Sequence, residues 1–96
     1  MTKLPDQKRQ EREFAWIGDT VLDLFARDWI LKNKGSLCGE TLRKMTSNQF
    51  LACFGNPTAV EAKIGRLYEE GGLDPAFEFI EKTLLPLFKK QNKQGR

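Results

Sequence analysis

Between Gln7 and Lys34 the apolar residues Phe14, Ile17, Val21, Leu22, Leu24, Phe25, Trp29 and Ile30 recur at spacings of three and four. That period places them on one side of an α-helix and predicts a single long amphipathic helix. Pro5 and Asp6 read as its opening, and Lys32, Lys34 and Gly35 as its close. A second helix is predicted from about Glu40 to Cys53, with Leu42, Met45, Phe50 and Leu51 on its apolar side. Gly55-Asn56-Pro57 breaks it, and Asn56 as cap with Pro57 at the first helical position starts a third, which carries Val60, Ile64 and Leu67 inward and stops at Gly71-Gly72. Asp74-Pro75 repeats the cap-then-proline signature for a fourth, in which Phe77, Phe79, Ile80, Leu84, Leu85 and Leu87 are expected to be buried and Pro86 to kink or shorten the helix. The basic tail from about residue 89 is expected to fray. Strand signals are weak and there is no internal repeat. The expectation is one all-α domain, residues 1–96, of about four helices.

Composition narrows the chemistry more than it narrows the fold. Lys and Arg number 16 against 13 Asp and Glu, a net charge of +3 that permits a polyanionic partner without requiring one. There is no histidine and there are two cysteines, Cys38 and Cys53. The chain therefore cannot itself build a Ser-His-Asp triad, a Cys-His pair, or a Cys₂His₂ or Cys₄ zinc site. What remains is carboxylates, lysines, hydroxyls, or a metal held by oxygen. Met1–Arg12 is polar and no apolar run approaches the ~20 residues that span a bilayer, so a cytoplasmic protein with free thiols and no membrane contact is expected.

Asp19 follows Gly18 in the middle of the long helix. A mid-helix glycine costs ~1 kcal/mol relative to alanine, which asks for a reason such as close packing of a second helix. Glu61 stands four residues before Gly65 in the third helix, where Thr58-Ala59-Val60-Glu61 also fits a capping box. Taken singly, Asp19 reads first as a solvated or capped bystander and Glu61 as a capping acid, and neither is evidence of a site.

Their neighbours add a pattern. Phe14-Ala15-Trp16-Ile17-Gly18-Asp19-Thr20-Val21-Leu22 resembles the first signature of the ribonuclease III family, broadly L-E-F-L-G-D-[AS]-[VI]-L. Thr58 through Gly72 is similar to that family's second motif, with Glu61-Ala62-Lys63-Ile64-Gly65 at its centre. Ser47-Asn48-Gln49-Phe50-Leu51-Ala52 resembles the S-N-x-x-L-A stretch between them, and Leu73–Phe88 its closing helix. The resemblance implies the compact helical endonuclease-domain fold of that family, shortened in the middle. It implies an endoribonuclease for double-stranded or structured RNA, acting as a symmetric homodimer with Mg²⁺, for which Mn²⁺ substitutes. On the same footing Asp19 and Glu61 would be the catalytic and metal-binding residues.

The chain departs from the pattern at two further acids, whose positions hold Ala15 and Thr58. The Mini-ribonuclease III branch, which lacks an appended RNA-binding domain, also carries small or hydroxyl residues there and retains the aspartate and glutamate. Only residues 53–57 join the middle helix to the second motif, and Lys63 and Arg66 stand where the family has leucine and a small residue. Lys63 and Arg66, with Arg43 and Lys44 on the second helix, are the expected RNA contacts, against the alternative of an ordinary solvated basic face. Trp16 and Trp29 are expected in the core or a dimer interface. The rival to an enzyme is a catalytically inactive ribonuclease III fold that serves as an RNA-binding or structural protein.

Overall fold

The computed structural model describes residues 3–93. Among them every regular element is helical. Helix α1 spans Lys3–Lys34, α2 Gly39–Thr46, α3 Asn48–Leu51 followed by a single 3₁₀ turn at Ala52–Phe54, and α4 Pro57–Gly71. Helix α5, Leu73–Phe79, runs through a π-helical segment, Ile80–Leu84, into α6, Leu85–Lys93. The all-α expectation holds. At ~1.5 Å per residue the 32-residue α1 is ~48 Å long, which accounts for the 53 Å long axis of a body only 24 by 21 Å across.

Helix α1 begins at Lys3, ahead of the expected Pro5-Asp6 opening, and ends where Gly35 takes φ +82° and donates its N–H to Leu31. Its stripe buries Val21, Leu22, Phe25, Ala26 and Ile30, but Leu24 is 46% exposed and Trp16, expected inside or in an interface, is 77% exposed. The predicted second helix is broken in two. The Ser47 hydroxyl accepts the Phe50 N–H at 3.0 Å and starts α3 afresh, and that turn lets both Phe50 and Leu51 reach the core. Asn56 caps α4 as expected, accepting the Ala59 N–H at 3.1 Å. The capping box at Thr58 therefore does not form, since Thr58 is already the second residue of the helix.

The last helix differs most. Leu73 starts it, so Asp74-Pro75 lies within the first turn and is not its cap. Pro86 does not end the helix, which continues to Lys93. Instead the turn before it widens, with the Leu85 N–H donating to the Ile80 carbonyl five residues back. An α-turn would press the Pro86 ring against the carbonyl four residues earlier, and the wider turn relieves that contact. Residues 89–93, expected to fray, are helical, and 94–96 lie outside the described residues.

Leu22, Leu51, Ile64, Ile80 and Leu84 are the largest wholly buried side chains, drawn from α1, α3, α4 and the π segment. Edge-to-face rings bind the periphery to them: Phe25 with Phe77 at 5.2 Å, Trp29 with Phe88 at 6.0 Å, and Phe50 with Phe88 at 5.7 Å. The closest approach in the fold is that of α4 on α1. A Cβ on Gly18 would fall on the Glu61 carbonyl oxygen and 2.9 Å from the Gly65 nitrogen. One on Gly65 would fall on the Phe14 carbonyl oxygen and 3.1 Å from the Gly18 nitrogen. Phe14 thus faces Gly65 while Gly18 faces Glu61, so the helices run antiparallel.

The obstacle at Gly18 is backbone, which cannot swing aside. Gly18→Ala is expected to cost about 3 kcal/mol or more, the upper end of overpacking penalties. Gly39→Ala, whose Cβ meets only the Arg43 side chain at 3.6 Å, should change stability by less than about 1 kcal/mol. Urea denaturation of the two variants checks the contrast.

Candidate functional site

The glycine crossing decides where the acids go. Asp19 is the residue after Gly18, and Glu61 is the residue whose carbonyl seats against Gly18. Their carboxyl groups lie in one cleft on one side of the crossing, near enough for the Asp19 charge to act on Glu61. Asp19 is exposed and Glu61 half-buried. Burial, then the neighbouring Asp19 charge, then the hydrogen bond between them push the Glu61 carboxyl from its ordinary 4.5 up to about 7. Near neutral pH the pair thus retains a proton that an exposed pair would have lost.

The pair sits in an open cleft of 420 Å³. Ala15 and Thr58, one helical turn from Asp19 and Glu61, line the same cleft, so the two positions that depart from the ribonuclease III pattern do face the acids. Both are small, which keeps the floor of the cleft free of further charge. Arg9, Arg12, Glu13 and Trp16 complete its α1 wall. The sequence reading placed no site residue among these four. The signal was nonetheless there, since Arg9, Arg12, Trp16 and Asp19 follow one another at spacings of three, four and three.

The expected RNA contacts fall elsewhere. Lys63 and Arg66 are exposed on α4, with the Lys63 ammonium 5.7 Å from the centre of the Phe79 ring and the Arg66 guanidinium 4.5 Å from that of Phe14. On α2, Lys44 pairs with Glu40 at 3.8 Å and Arg43 is exposed. None of the four lines the acid cleft. Asp23, one turn beyond Asp19, pairs with Arg27 at 2.9 Å, so it is not a third member of the pair.

Two carboxylates are hard oxygen donors suited to Mg²⁺ or Mn²⁺, which complete their shells with water and substrate oxygens. Burial first, and the Asp19 charge second, oppose ionisation of Glu61, and a divalent cation would favour its charged form. The residues fit such an ion as a partial shell. Among the described residues no cluster of three or more acidic, cysteine or histidine side chains gathers at this or any other point. Compared with family models, curated proteins and solved structures, the chain matches none.

A carboxyl raised in the folded state binds its proton more tightly there than in the unfolded chain. Its contribution is therefore present below about pH 4.5 and is lost as pH rises toward about 7. In metal-free buffer the melting temperature should fall across that window. Glu61→Gln should flatten the fall, and Mg²⁺ should restore more stability at pH 8 than at pH 5. Thermal melts across pH check all three.

Proposed function

We propose that this chain is a minimal endoribonuclease of the ribonuclease III type, nearest in pattern to the Mini-ribonuclease III branch, which hydrolyses phosphodiester bonds of double-stranded or structured RNA with Mg²⁺. One observation carries the reading. The two acids that match the family's motifs, distant in sequence, meet at a backbone crossing made possible by the glycines of those same motifs.

Asp19 and Glu61 are the residues that would hold the cation, and the cleft beside them would admit the phosphodiester. When bound, the cation supplies the charge that lowers the pKa of a water and offsets the negative charge developing on phosphate. Glu61 would have to ionise to serve as a ligand, and near neutral pH it sits at the edge of doing so. Asp19, the more exposed of the two, faces the open side of the cleft, from which RNA approaches. Hydrolysis would form a bond from the water oxygen to phosphorus and break the bond from phosphorus to the 3′-oxygen, the water giving up a proton to solvent and the 3′-oxygen taking one from it to leave as a hydroxyl.

A second copy of the chain is part of the same proposal. Trp16, Leu24 and Leu31 expose 77%, 46% and 53% of their surfaces along α1, with Thr20 one turn from both Trp16 and Leu24. Such a row of apolar side chains fits a two-fold contact that would place two acid pairs on one duplex. No described helix is long and apolar enough to cross a membrane. The cytoplasm is the proposed place of action. The absence of acids at Ala15 and Thr58 favours the alternative, an inactive fold that binds RNA or serves a structural role.

Incubation with generic double-stranded RNA separates the two. The enzyme should cut it with Mg²⁺ or Mn²⁺ and not with EDTA, and Asp19→Asn or Glu61→Gln should lower the rate by 10²-fold or more, the scale of losing a ligand or its support. RNA bound but left intact by the wild type would establish the inactive alternative. Sedimentation at micromolar concentration should give twice the 11.0 kDa chain mass, and Leu24→Lys should return it to a monomer.

A further inference from the structure

We propose that Arg12 holds a backbone phosphate of the RNA strand whose scissile bond lies at the Asp19–Glu61 pair, making it a substrate-binding residue of this cleft. The inference rests on the nuclease reading above. Seven residues separate Arg12 from Asp19, which puts them ~10.5 Å apart along α1 and within ~20° of the same azimuth. Both line the one cleft, so a guanidinium bounds one end of it and the carboxyl pair the other. Between them on that face stands Ala15, whose side chain stops at Cβ. A carboxylate at that position would sit three residues from Arg12, close enough to neutralise it. Ala15 and Arg12 therefore belong together: the change that removes an acid from the metal site also leaves the guanidinium free to meet an anion.

Several of the other basic residues are engaged where Arg12 is not. Arg27, Lys32, Lys44 and Lys82 are each paired with an acid four residues earlier, and Lys63 and Arg66 rest on aromatic rings. Arg12 has Lys8 and Arg9 on the turn before it and Ala15 and Trp16 on the turn after. It is exposed, and among the described residues no ion pair occupies it. Charge balance gives it a task. A divalent cation on two ionised carboxylates leaves that end of the cleft with no net positive charge for a phosphodiester. A guanidinium two turns away supplies a permanent positive charge and a planar fork that matches two phosphate oxygens.

The test is binding of a labelled RNA duplex to the full chain carrying Asp19→Asn, measured with Mg²⁺ between 50 and 200 mM salt, with and without Arg12→Ala or Arg12→Lys. Arg12→Ala should weaken binding roughly tenfold and lower the slope of log affinity against log salt by about one phosphate contact, with Arg12→Lys between the two. In the otherwise wild-type enzyme Arg12→Ala should raise KM and leave kcat largely intact. If the Asp19→Asn protein binds duplex RNA and Arg12→Ala changes neither affinity nor slope, Arg12 does not hold phosphate and the nuclease reading stands without it. A loss of affinity at unchanged slope would also overturn the assignment. If the Asp19→Asn protein binds no duplex at all, the inference and the nuclease reading fall together.

Discussion

Helices α1 and α4 touch backbone to backbone at Gly18 and Gly65, and the rest of the molecule is arranged around that contact. Two helices normally stand 8–10 Å apart, held off by their side chains. Removing the side chains at one point from both lets the carbonyls of Phe14 and Glu61 seat against the opposite helix. The contact sets the spacing and the antiparallel direction of the pair, and it holds Val21, Leu22 and Ile64 at depths that the α3 and α5–α6 residues then fill. Glu61 takes part twice, its backbone closing the crossing and its side chain forming half of the acid pair. Stability and proposed chemistry are therefore tied to the same few atoms.

The acid pair is a local conflict that the fold tolerates. A half-buried glutamic acid beside an aspartate gives up its proton only near neutral pH, its burial and the Asp19 charge both opposing ionisation. Elsewhere the surface follows the opposite practice, with i,i+4 ion pairs on α1, α2 and the π segment. Groups held against their own electrostatics concentrate at functional sites, and here the conflict lies in one cleft whose remaining walls are Ala15, Thr58, Trp16, Glu13 and two arginines.

Much of this was legible in the residues, where the period was long and the punctuation strong. Twenty-eight residues of threes and fours announced α1, Asn56-Pro57 announced α4, and two mid-helix glycines announced the crossing that joins Asp19 to Glu61. The middle was harder. Ser47 breaks a stretch whose apolar pattern continues through it, because one hydroxyl capping Phe50 outweighs a helix only two turns long. Of the two places expected for Trp16, core or dimer interface, the core is excluded, since it projects well away from the Leu22 side of α1 and is exposed in the single chain. Arg9 and Arg12 are invisible to composition, which counts charges and says nothing of acids two to three turns further along the same helix.

The widened turn at Ile80–Leu84 has a consequence for the helix on either side of it. Ala76, Ile80 and Leu84 ascend one line of the core, and Leu85 and Phe88 continue it, although Leu84 and Leu85 are sequence neighbours that a regular helix would set ~100° apart. Both are buried, at 1% and 5% exposure. The segment between 73 and 93 therefore contains one residue more than an unbroken apolar line needs. The π turn absorbs that surplus residue and returns the second half to the phase of the first. In effect it is an insertion written into a helix without moving what lies beyond it, and it keeps Phe88 in position to meet both Trp29 and Phe50.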